Sequence, residues 1–188
     1  MYYFGKDFLS EEEVNKIVSS GDNLNLSKAK VISNTKKIVL NKSYRDVSKG
    51  VLKFKDELSW LETKLQKKAN QITSFLDSQY DISLDISGGI ENKNVQYLSY
   101  SDGGHYNWHL DSYLRAAPNR TLTIIVQLVD ENEYEGGGVL LDMEGQTITA
   151  PRSKGCCIAF PSKTMKHKIE KVISGTRKSI VLWFEKSQ

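Results

Sequence analysis

The sequence predicts an α+β fold in which helices precede an all-β sandwich or barrel. Two stretches within the first 80 residues carry helical signals, and beyond residue 80 short alternating runs are separated by Gly, Asn, Asp and Pro. The chain has 188 residues, of which 39% are hydrophobic, enough for one substantial core. We therefore expect a single domain over residues 1–188, mainly helical up to residue 80 and β beyond it.

The first helix is predicted to begin after Ser10. This serine can cap the free amides of the first turn, and Glu13, three residues later, completes a capping box. Gly21 marks the predicted end of the helix.

The second helix is predicted over residues 56–80, where apolar residues recur at helical spacing. They form a stripe that must lie on another apolar surface. They are Leu58, Leu61, Leu65, Ala69, Ile72 and Leu76. Between the two helices, residues 22–55 offer short β-like runs at 29–32 and 38–40, but poor periodicity leaves this stretch without an assigned structure.

Short alternating runs predict strands throughout the second half. They are 82–86, 95–100, 108–111, 122–129, 139–142, 147–149, 156–160, 168–173 and 179–185. The strand at 122–129 has two different faces. One face carries Leu122, Ile124, Val126 and Leu128. The other face carries Ile125 and the polar residues Thr121, Thr123 and Gln127, of which Thr121 directly precedes the predicted strand. The first face needs a helical cover, and the second is mixed enough to line a polar cavity.

The amino-acid composition excludes few functional classes, but the net charge bears on whether nucleic acid or a membrane is a partner. A net charge of +3 is too small to indicate nucleic acid or a membrane surface, and we expect neither as a partner. No segment approaches the roughly 18 apolar residues of a membrane helix, and the charges at Lys6 and Asp7 argue against a signal peptide. The adjacent Cys156 and Cys157 predict small buried thiols rather than a disulfide, and hence a reducing, cytoplasmic location.

The segment YNWHLDSY, residues 106–113, suggests a metal site. On a strand, His109 and Asp111 would point the same way, because residues two apart share a face. His167, just beyond a strand-like run, supplies a third candidate ligand. Two imidazoles and one carboxylate on one side of a metal leave the opposite positions open, an arrangement that suits non-haem Fe(II) oxygenases.

Other interpretations of these residues stay open at this point. The same three ligands plus water could hold a catalytic zinc, although no acidic neighbour stands where a metalloprotease base would. His109 and Asp111 could also be ordinary polar residues of a solvated strand. His105, in the glycine-rich SDGGHY, is expected to be a loop residue near the entrance rather than a ligand.

Four stretches carry a family resemblance: YLSYSDGGHYNWHLD, NRTLTIIVQLVDENEYEGGGVLL, GCCIAFPSKTMKH and VISGTRKSIVLWFE, which cover most of residues 97–185. Together they resemble the Fe(II)- and 2-oxoglutarate-dependent dioxygenases, in the prolyl-hydroxylase-like branch that includes PKHD-type hydroxylases. The resemblance implies a double-stranded β-helix, or jelly roll, of two antiparallel sheets buttressed by N-terminal helices. Residues 1–80 would be the mainly helical buttress, and residues 81–188 the core with the site.

Position by position, the resemblance makes His109, Asp111 and His167 the iron ligands and the catalytic centre. It makes Arg177 the anchor of the far carboxylate of 2-oxoglutarate, with the Tyr100 hydroxyl as a second donor. A guanidinium suits this role because its planar fork binds a carboxylate bidentately and stays protonated when enclosed.

The resemblance also gives candidate substrate contacts. Tyr106 matches a tyrosine near the metal and the substrate mouth, while Arg120 and Trp183 match positions that contact peptide substrates. Ordinary alternatives stay open: Tyr100 and Tyr106 could be tyrosines with the hydroxyl at the rim of the sandwich, Arg177 a surface cation, and Trp183 a core residue. The glycines of YEGGG are expected to be structural, since they permit backbone angles barred to other residues.

The implied reaction hydroxylates a C–H bond with Fe(II), 2-oxoglutarate and O2, releases succinate and CO2, and has ascorbate as a candidate reductant. A prolyl residue in a protein or peptide is the expected substrate, and a free amino acid or other small molecule is the first alternative. A nucleobase is disfavoured, because Trp183 stands where base demethylases of the superfamily carry a second arginine. A non-catalytic jelly-roll binding module is disfavoured, because the ligands and the anchor are all present.

Two departures bear on the target. Gly138 stands where an acidic residue is frequent, and Arg177 stands where collagen-type prolyl hydroxylases use lysine. These departures favour the bacterial PKHD branch and leave the identity of the target open.

Overall fold

A computed structural model describes residues 1–32, 37–112 and 117–187. Within these residues, two α-helices lie in the N-terminal half of the sequence. Helix α1 spans Glu11–Asp22 and helix α2 spans Ser59–Tyr80, with short 3-10 turns at Asp56–Leu58 and Glu91–Lys93. The predicted capping box of α1 is confirmed: the Glu13 amide donates to the Ser10 hydroxyl at 3.3 Å, and the Ser10 amide donates to the Glu13 carboxylate at 2.8 Å.

Gly21 does not terminate α1, which continues to Asp22. A Cβ atom at Gly21 would overlap the ring of Tyr97 on the adjacent sheet. Glycine therefore serves close packing of the helix on the sheet. Asp22 also fixes the C-terminal end of α1 to the sheet. Its carboxylate accepts hydrogen bonds from the Tyr97 hydroxyl and from the Lys178 ammonium.

The strands are short and numerous. In chain order they are β1 (Tyr3–Gly5), β2 (Ser27–Lys28), β3 (Val31–Ile32), β4 (Ile38–Val39), β5 (Arg45–Asp46), β6 (Ser48–Lys53), β7 (Gly89–Ile90), β8 (Asn94–Tyr100), β9 (His105–His109), β10 (Arg120–Gln127), β11 (Tyr134–Gly136), β12 (Val139–Met143), β13 (Gln146–Thr149), β14 (Cys157–Pro161), β15 (His167–Ile169), β16 (Val172–Gly175) and β17 (Arg177–Glu185).

The strands form two main antiparallel sheets. The large sheet has the order β1-β14-β10-β17-β8-β6-β2, with β7 paired to β17, and the small sheet has the order β13-β12-β15-β9-β5. Two further pairs, β11 with β16 and β3 with β4, complete the pairing of the described strands. The predicted α+β jelly roll, with two antiparallel sheets and N-terminal helices, is confirmed.

One hydrophobic cluster joins the helices to the outer face of the large sheet. It contains the whole predicted stripe of α2 and the predicted apolar face of β10. A second cluster fills the space between the two sheets, where Leu98 and Ile125 of the large sheet meet Val139 and Ile169 of the small sheet. The alternating pattern of β10 therefore separates the helical side of the sheet from the side that faces the site.

Several predicted strands differ from the structure. Residues 82–86 do not form a strand; Ile82, Leu84 and Ile86 instead pack partly buried against the helical cluster. The predicted strand at 168–173 is two strands, β15 and β16, and the strand predicted at 108–111 is β9, which ends at His109. Residues before 80 add strands to both sheets, and the proposed division of the chain at residue 80 stays a prediction.

Both cysteines are free and buried, as predicted. Cys157 lies in the helical cluster, where burial raises the pKa of its thiol to about 12, and the Cys156 thiol donates to the Pro151 carbonyl at 3.3 Å. Within the described residues, no helix has the length and apolar character needed to cross a bilayer. The cytoplasmic location stays a prediction.

Candidate metal centre and its cavity

Two neighbouring strands of the small sheet bring two histidines together. His109 is the last residue of β9 and His167 is the first residue of β15, and the two are directly paired in the strand register. Their ring centroids are 4.1 Å apart. His105 begins β9 rather than lying in a loop, and its two ring nitrogens face the carbonyls of Gly103 and Ser43.

Backbone carbonyls fix the ring orientation of both paired histidines. The Nδ1 atom of His109 lies 2.7 Å from the Asn107 carbonyl oxygen, and that of His167 lies 3.2 Å from the Met165 oxygen. Because a carbonyl only accepts, each Nδ1 donates, which leaves the Nε2 lone pair as the free ligand atom. Burial lowers the pKa of His167 to about 4, so this imidazole is neutral at neutral pH.

Asp111 completes the group. Its Oδ1 lies 3.4 Å from His109 Nε2 and its Oδ2 lies 3.7 Å from His167 Nε2. Burial raises the pKa of the Asp111 carboxyl. The two imidazoles and the Trp183 N–H lower that pKa by more than burial raises it, so it lies below its usual range. The residue is therefore a carboxylate at neutral pH.

The reason for this convergence differs from the predicted one. Asp111 lies in a bend after the end of β9, so strand alternation does not orient it. Hydrogen bonds hold the carboxylate instead: Trp183 Nε1 donates to Oδ2 at 3.0 Å, and Thr123 Oγ1 donates to the same oxygen at 2.9 Å. The Asp111 carbonyl oxygen accepts from Arg120 at 3.1 Å.

The three side chains suit a single metal ion. Their ligand atoms lie within 4.8 Å of one another and all three residues are buried. Two ligand bonds of about 2.0–2.2 Å span up to about 4.4 Å across one ion, and the separations of 3.4 and 3.7 Å between the Asp111 oxygens and the two Nε2 atoms fall within that span. Three ligands on one side leave the remaining positions open toward a cavity, which fits Fe(II) in a facial site. That these residues bind iron stays a prediction.

The open side of the group faces a cavity of about 370 Å³, counting its mouth, between the two sheets. Arg177 and Trp183 both line it from β17, six residues apart on the same face of the strand. Because Trp183 is bonded to Asp111, Arg177 defines the opposite end of the cavity. Ser179 and Val181 line the wall between them.

Arg177 is fully buried and only partly hydrogen-bonded. Its Nη1 donates to Ser179 Oγ at 3.1 Å, but Nε and Nη2 have no partner among the described residues. Burial lowers the pKa of the guanidinium, which is the direction expected for an incompletely compensated charge. Tyr100 is its cross-strand neighbour, with the guanidinium carbon 5.2 Å from the ring centroid. This end of the cavity fits an anionic group.

Gln127, on β10, is a further buried polar residue near this end, although it is not among the residues that line the cavity, and no individual role was predicted for it. It pairs with Ser179 in the strand register, is buried, and has neither amide atom hydrogen-bonded within the described chain. Its position on the mixed face of β10 was readable from the sequence. Its proximity to Arg177 was not, because that depends on the pairing of β10 with β17.

The predicted substrate contacts occupy distinct positions. The Tyr106 ring stacks on His109 at 3.5 Å, and Trp183 lies at the cavity wall bonded to Asp111. Arg120 lies behind Trp183, with its guanidinium carbon 3.7 Å from the tryptophan ring. Two of its nitrogens are paired bidentately with Glu91, so it supports the wall of the site, and its role in substrate binding stays a prediction.

The glycines of YEGGG allow the chain to pass close to Arg177. Gly136 and Gly137 have φ angles of 74° and 66°, in the left-handed region. A Cβ atom at Gly137 would lie 3.1 Å from Arg177 Cδ. The expected structural role of these glycines is confirmed.

Residues 95–185 match the family model described as the 2OG-Fe(II) oxygenase superfamily. A PKHD-type hydroxylase of Prochlorococcus marinus is 33% identical over 91 residues, which cover 48% of this chain and 41% of that protein. The chain thus spans less than half the length of this curated relative. These two matches confirm the resemblance inferred from the sequence, to the Fe(II)- and 2-oxoglutarate-dependent dioxygenases of the prolyl-hydroxylase-like branch.

Two solved structures share the fold. A prolyl-4-hydroxylase from Pseudomonas putida is 16% identical, with a TM-score of 0.73 over 100% of this chain and 93% of that one. A prolyl hydroxylase from Trichoplax adhaerens, in complex with a hypoxia inducible factor peptide fragment, is 15% identical, with a TM-score of 0.73 over 98% and 83%. At sequence identities this low, the similarity to these two structures establishes only the fold, a jelly roll.

Proposed function

With residues 95–185 taken as a 2OG-Fe(II) oxygenase segment, we propose that this chain hydroxylates a C–H bond by using Fe(II), 2-oxoglutarate and O2. The observation that carries the proposal is one cavity with two different ends. At one end stand His109, Asp111 and His167, and at the other stands the buried, incompletely paired Arg177. A keto acid with two carboxylates matches both ends.

Arg177 would bind the far carboxylate of 2-oxoglutarate. A buried guanidinium with two nitrogens unpartnered among the described residues gains charge-assisted hydrogen bonds from a carboxylate, and these are about twice as strong as neutral ones. The Tyr100 hydroxyl offers a further donor beside it. The enclosed position of Arg177 keeps water from competing for the same donors.

The metal end would depend on the residues that orient the ligands. When bound, Fe(II) with 2-oxoglutarate and O2 would supply the oxidising chemistry, with release of succinate and CO2. The chain holds both imidazoles by their Nδ1 protons and holds Asp111 through Trp183 and Thr123. Such outer hydrogen bonds typically change metal affinity about 10- to 100-fold when removed.

A prolyl residue in a protein or peptide is the proposed substrate. The names of the relatives support it, since the P. putida and T. adhaerens proteins are prolyl hydroxylases and the latter is bound to a peptide fragment. Tyr106 and Trp183 would contact the substrate, because both lie beside the metal ligands at the cavity wall. A free amino acid or other small molecule is the second candidate.

Turnover with matched peptides tests the proposal. Purified protein with Fe(II), 2-oxoglutarate, ascorbate and O2 is incubated with peptides that contain or lack proline, and with free L-proline. We expect succinate and a mass gain of one oxygen on a proline-containing compound, and neither with Asp111→Asn. A protein that binds these compounds without consuming 2-oxoglutarate would be a binding module.

A further inference from the structure

The cavity is lined by a second arginine in addition to Arg177. Arg45, on β5, lines the cavity, and its Nε atom is buried without a hydrogen-bond partner in the described chain. Its guanidinium carbon lies 4.3 Å from the ring centroid of Tyr106, which in turn stacks on His109 at 3.5 Å. One aromatic ring therefore separates this cation from a proposed iron ligand.

Two other carboxylates are paired with cations, and Asp111, which lines the same cavity, is assigned to the metal. Glu91 is paired bidentately with Arg120, and Asp46, next to Arg45 in the sequence, is paired with Lys28 at 2.6 Å. Burial, and then the nearby charges of Arg45 and Arg120, lower the pKa of the Lys49 ammonium, so cationic groups cluster around Arg45. Arg45 therefore brings positive charge to the cavity wall without compensation from Glu91 or Asp46.

Gln96 provides a second polar group on the wall of the same cavity. It lines the same cavity from β8, and its Oε1 atom is buried without a partner in the described chain. Its register neighbours are Val51 and Val181, neither of which can satisfy a side-chain amide. An amide offers both a donor and an acceptor, so it can bind a carbonyl or an N–H of a ligand.

We propose that Arg45 binds a carboxylate of the substrate, with the Gln96 amide as a second contact, so that the protein selects substrates with a negative charge beside the carbon to be hydroxylated. This rests on the proposed function. The cosubstrate does not account for Arg45, because one carboxylate of 2-oxoglutarate is assigned to the metal and the other to Arg177. The carboxylate can come from a free amino acid or from an acidic side chain in a peptide.

Two pairs of probes distinguish these sources. N-acetyl-L-proline and N-acetyl-L-prolinamide differ at a main-chain carboxylate, and acetyl-Glu-Pro-amide and acetyl-Gln-Pro-amide differ at a side-chain carboxylate. Binding is measured by tryptophan fluorescence with nickel(II) and 2-oxoglutarate present, because Trp183 lies at the cavity wall. We expect the charged member of at least one pair to bind about 10- to 100-fold more tightly, the value of one charge-assisted hydrogen bond.

Arg45→Gln should remove this preference, and Arg45→Lys should restore part of it. The control is Lys168→Gln, because Lys168 lies near Trp108 on the outer face of the small sheet and should leave the preference unchanged. The affinity for 2-oxoglutarate should stay within about two-fold in all variants.

The inference is overturned if charged and amide probes bind equally, if no probe binds, or if the preference survives in Arg45→Gln. It is also overturned if Arg45→Gln weakens 2-oxoglutarate rather than the probes. The failure of the proposed function would look different: the wild-type protein would then not bind 2-oxoglutarate in the presence of metal at all.

Discussion

Replacing Arg177 by methionine should have opposite effects on the protein with and without 2-oxoglutarate. Arg177 is 0% exposed, and two of its nitrogens are unpartnered in the described chain. Without an anion, the structure bears the cost of a buried charge that is only partly compensated. Methionine fills a similar volume without that cost, so Arg177→Met should be more stable than the wild type when no ligand is present.

The magnitudes follow from these contacts. Replacing buried charges by apolar groups stabilises proteins by about 1–4 kcal/mol, and the lost donor to Ser179 Oγ offsets roughly 1 kcal/mol. A net gain of ~2 kcal/mol raises the melting temperature by roughly 4–8 °C in a chain of this size. Truncating one member of a buried charge pair costs about 2–5 kcal/mol, so 2-oxoglutarate should bind at least ~30-fold more weakly.

Thermal melting of the nickel(II)-loaded protein, with and without 2-oxoglutarate, measures both effects. At a ligand concentration of ~100 Kd, the wild type should gain about 2.7 kcal/mol and the variant less than about 1 kcal/mol. The control is Lys178→Met, whose side chain pairs with Asp22 at 2.6 Å and faces away from the cavity. A lower melting temperature in unliganded Arg177→Met, or an unchanged shift with 2-oxoglutarate, would refute the reasoning.

Two further substitutions test the packing around the site and beneath it. Trp183→Phe keeps an aromatic ring but removes the donor to Asp111, so the affinity for manganese(II), measured by calorimetry, should fall about 10-fold with little loss of stability. Gly21→Ala should lower the free energy of unfolding in urea by about 1–3 kcal/mol, because its Cβ would overlap the Tyr97 ring.

A specific result would contradict each of these two predictions. An unchanged manganese(II) affinity in Trp183→Phe would mean that the indole N–H does not orient the carboxylate. For Gly21→Ala, the control is Ser19→Ala at an exposed position of the same helix, which should change stability by less than about 0.5 kcal/mol. Equal stability of the two variants would mean that α1 can move away from the sheet at little cost.

Local patterns in the sequence predicted the parts of the fold that depend on neighbouring residues. The capping box at Ser10 and the apolar stripe of α2 are set by spacings of three and four residues, and both are confirmed. The two faces of β10 follow from strand alternation, which correctly separated Leu122 and Ile124 from Thr123. Such features need no knowledge of which strands pair.

Features that depend on strand pairing escaped the sequence analysis. The residues around Arg45 lie in strands of two to six residues, too short for periodicity to reveal, yet β5 and β6 join opposite sheets. Gln127 and Gln96 gain their meaning only from neighbours supplied by other strands. Asp111 does lie with His109 and His167, as predicted, but the reason given for it was wrong. Hydrogen bonds from Trp183 and Thr123, rather than strand alternation, orient its carboxylate.

The central claim is that three side chains hold one Fe(II) and leave room for a chelating keto acid. Anaerobic titration with Fe(II) in the presence of 2-oxoglutarate tests it directly, since a 2-keto acid that chelates Fe(II) gives a weak visible absorption band. We expect the band to saturate at one iron per chain, to disappear in His167→Gln, and to persist in His105→Gln, whose ring lies outside the group. A band that survives in His167→Gln, or none in the wild type, would contradict the claim.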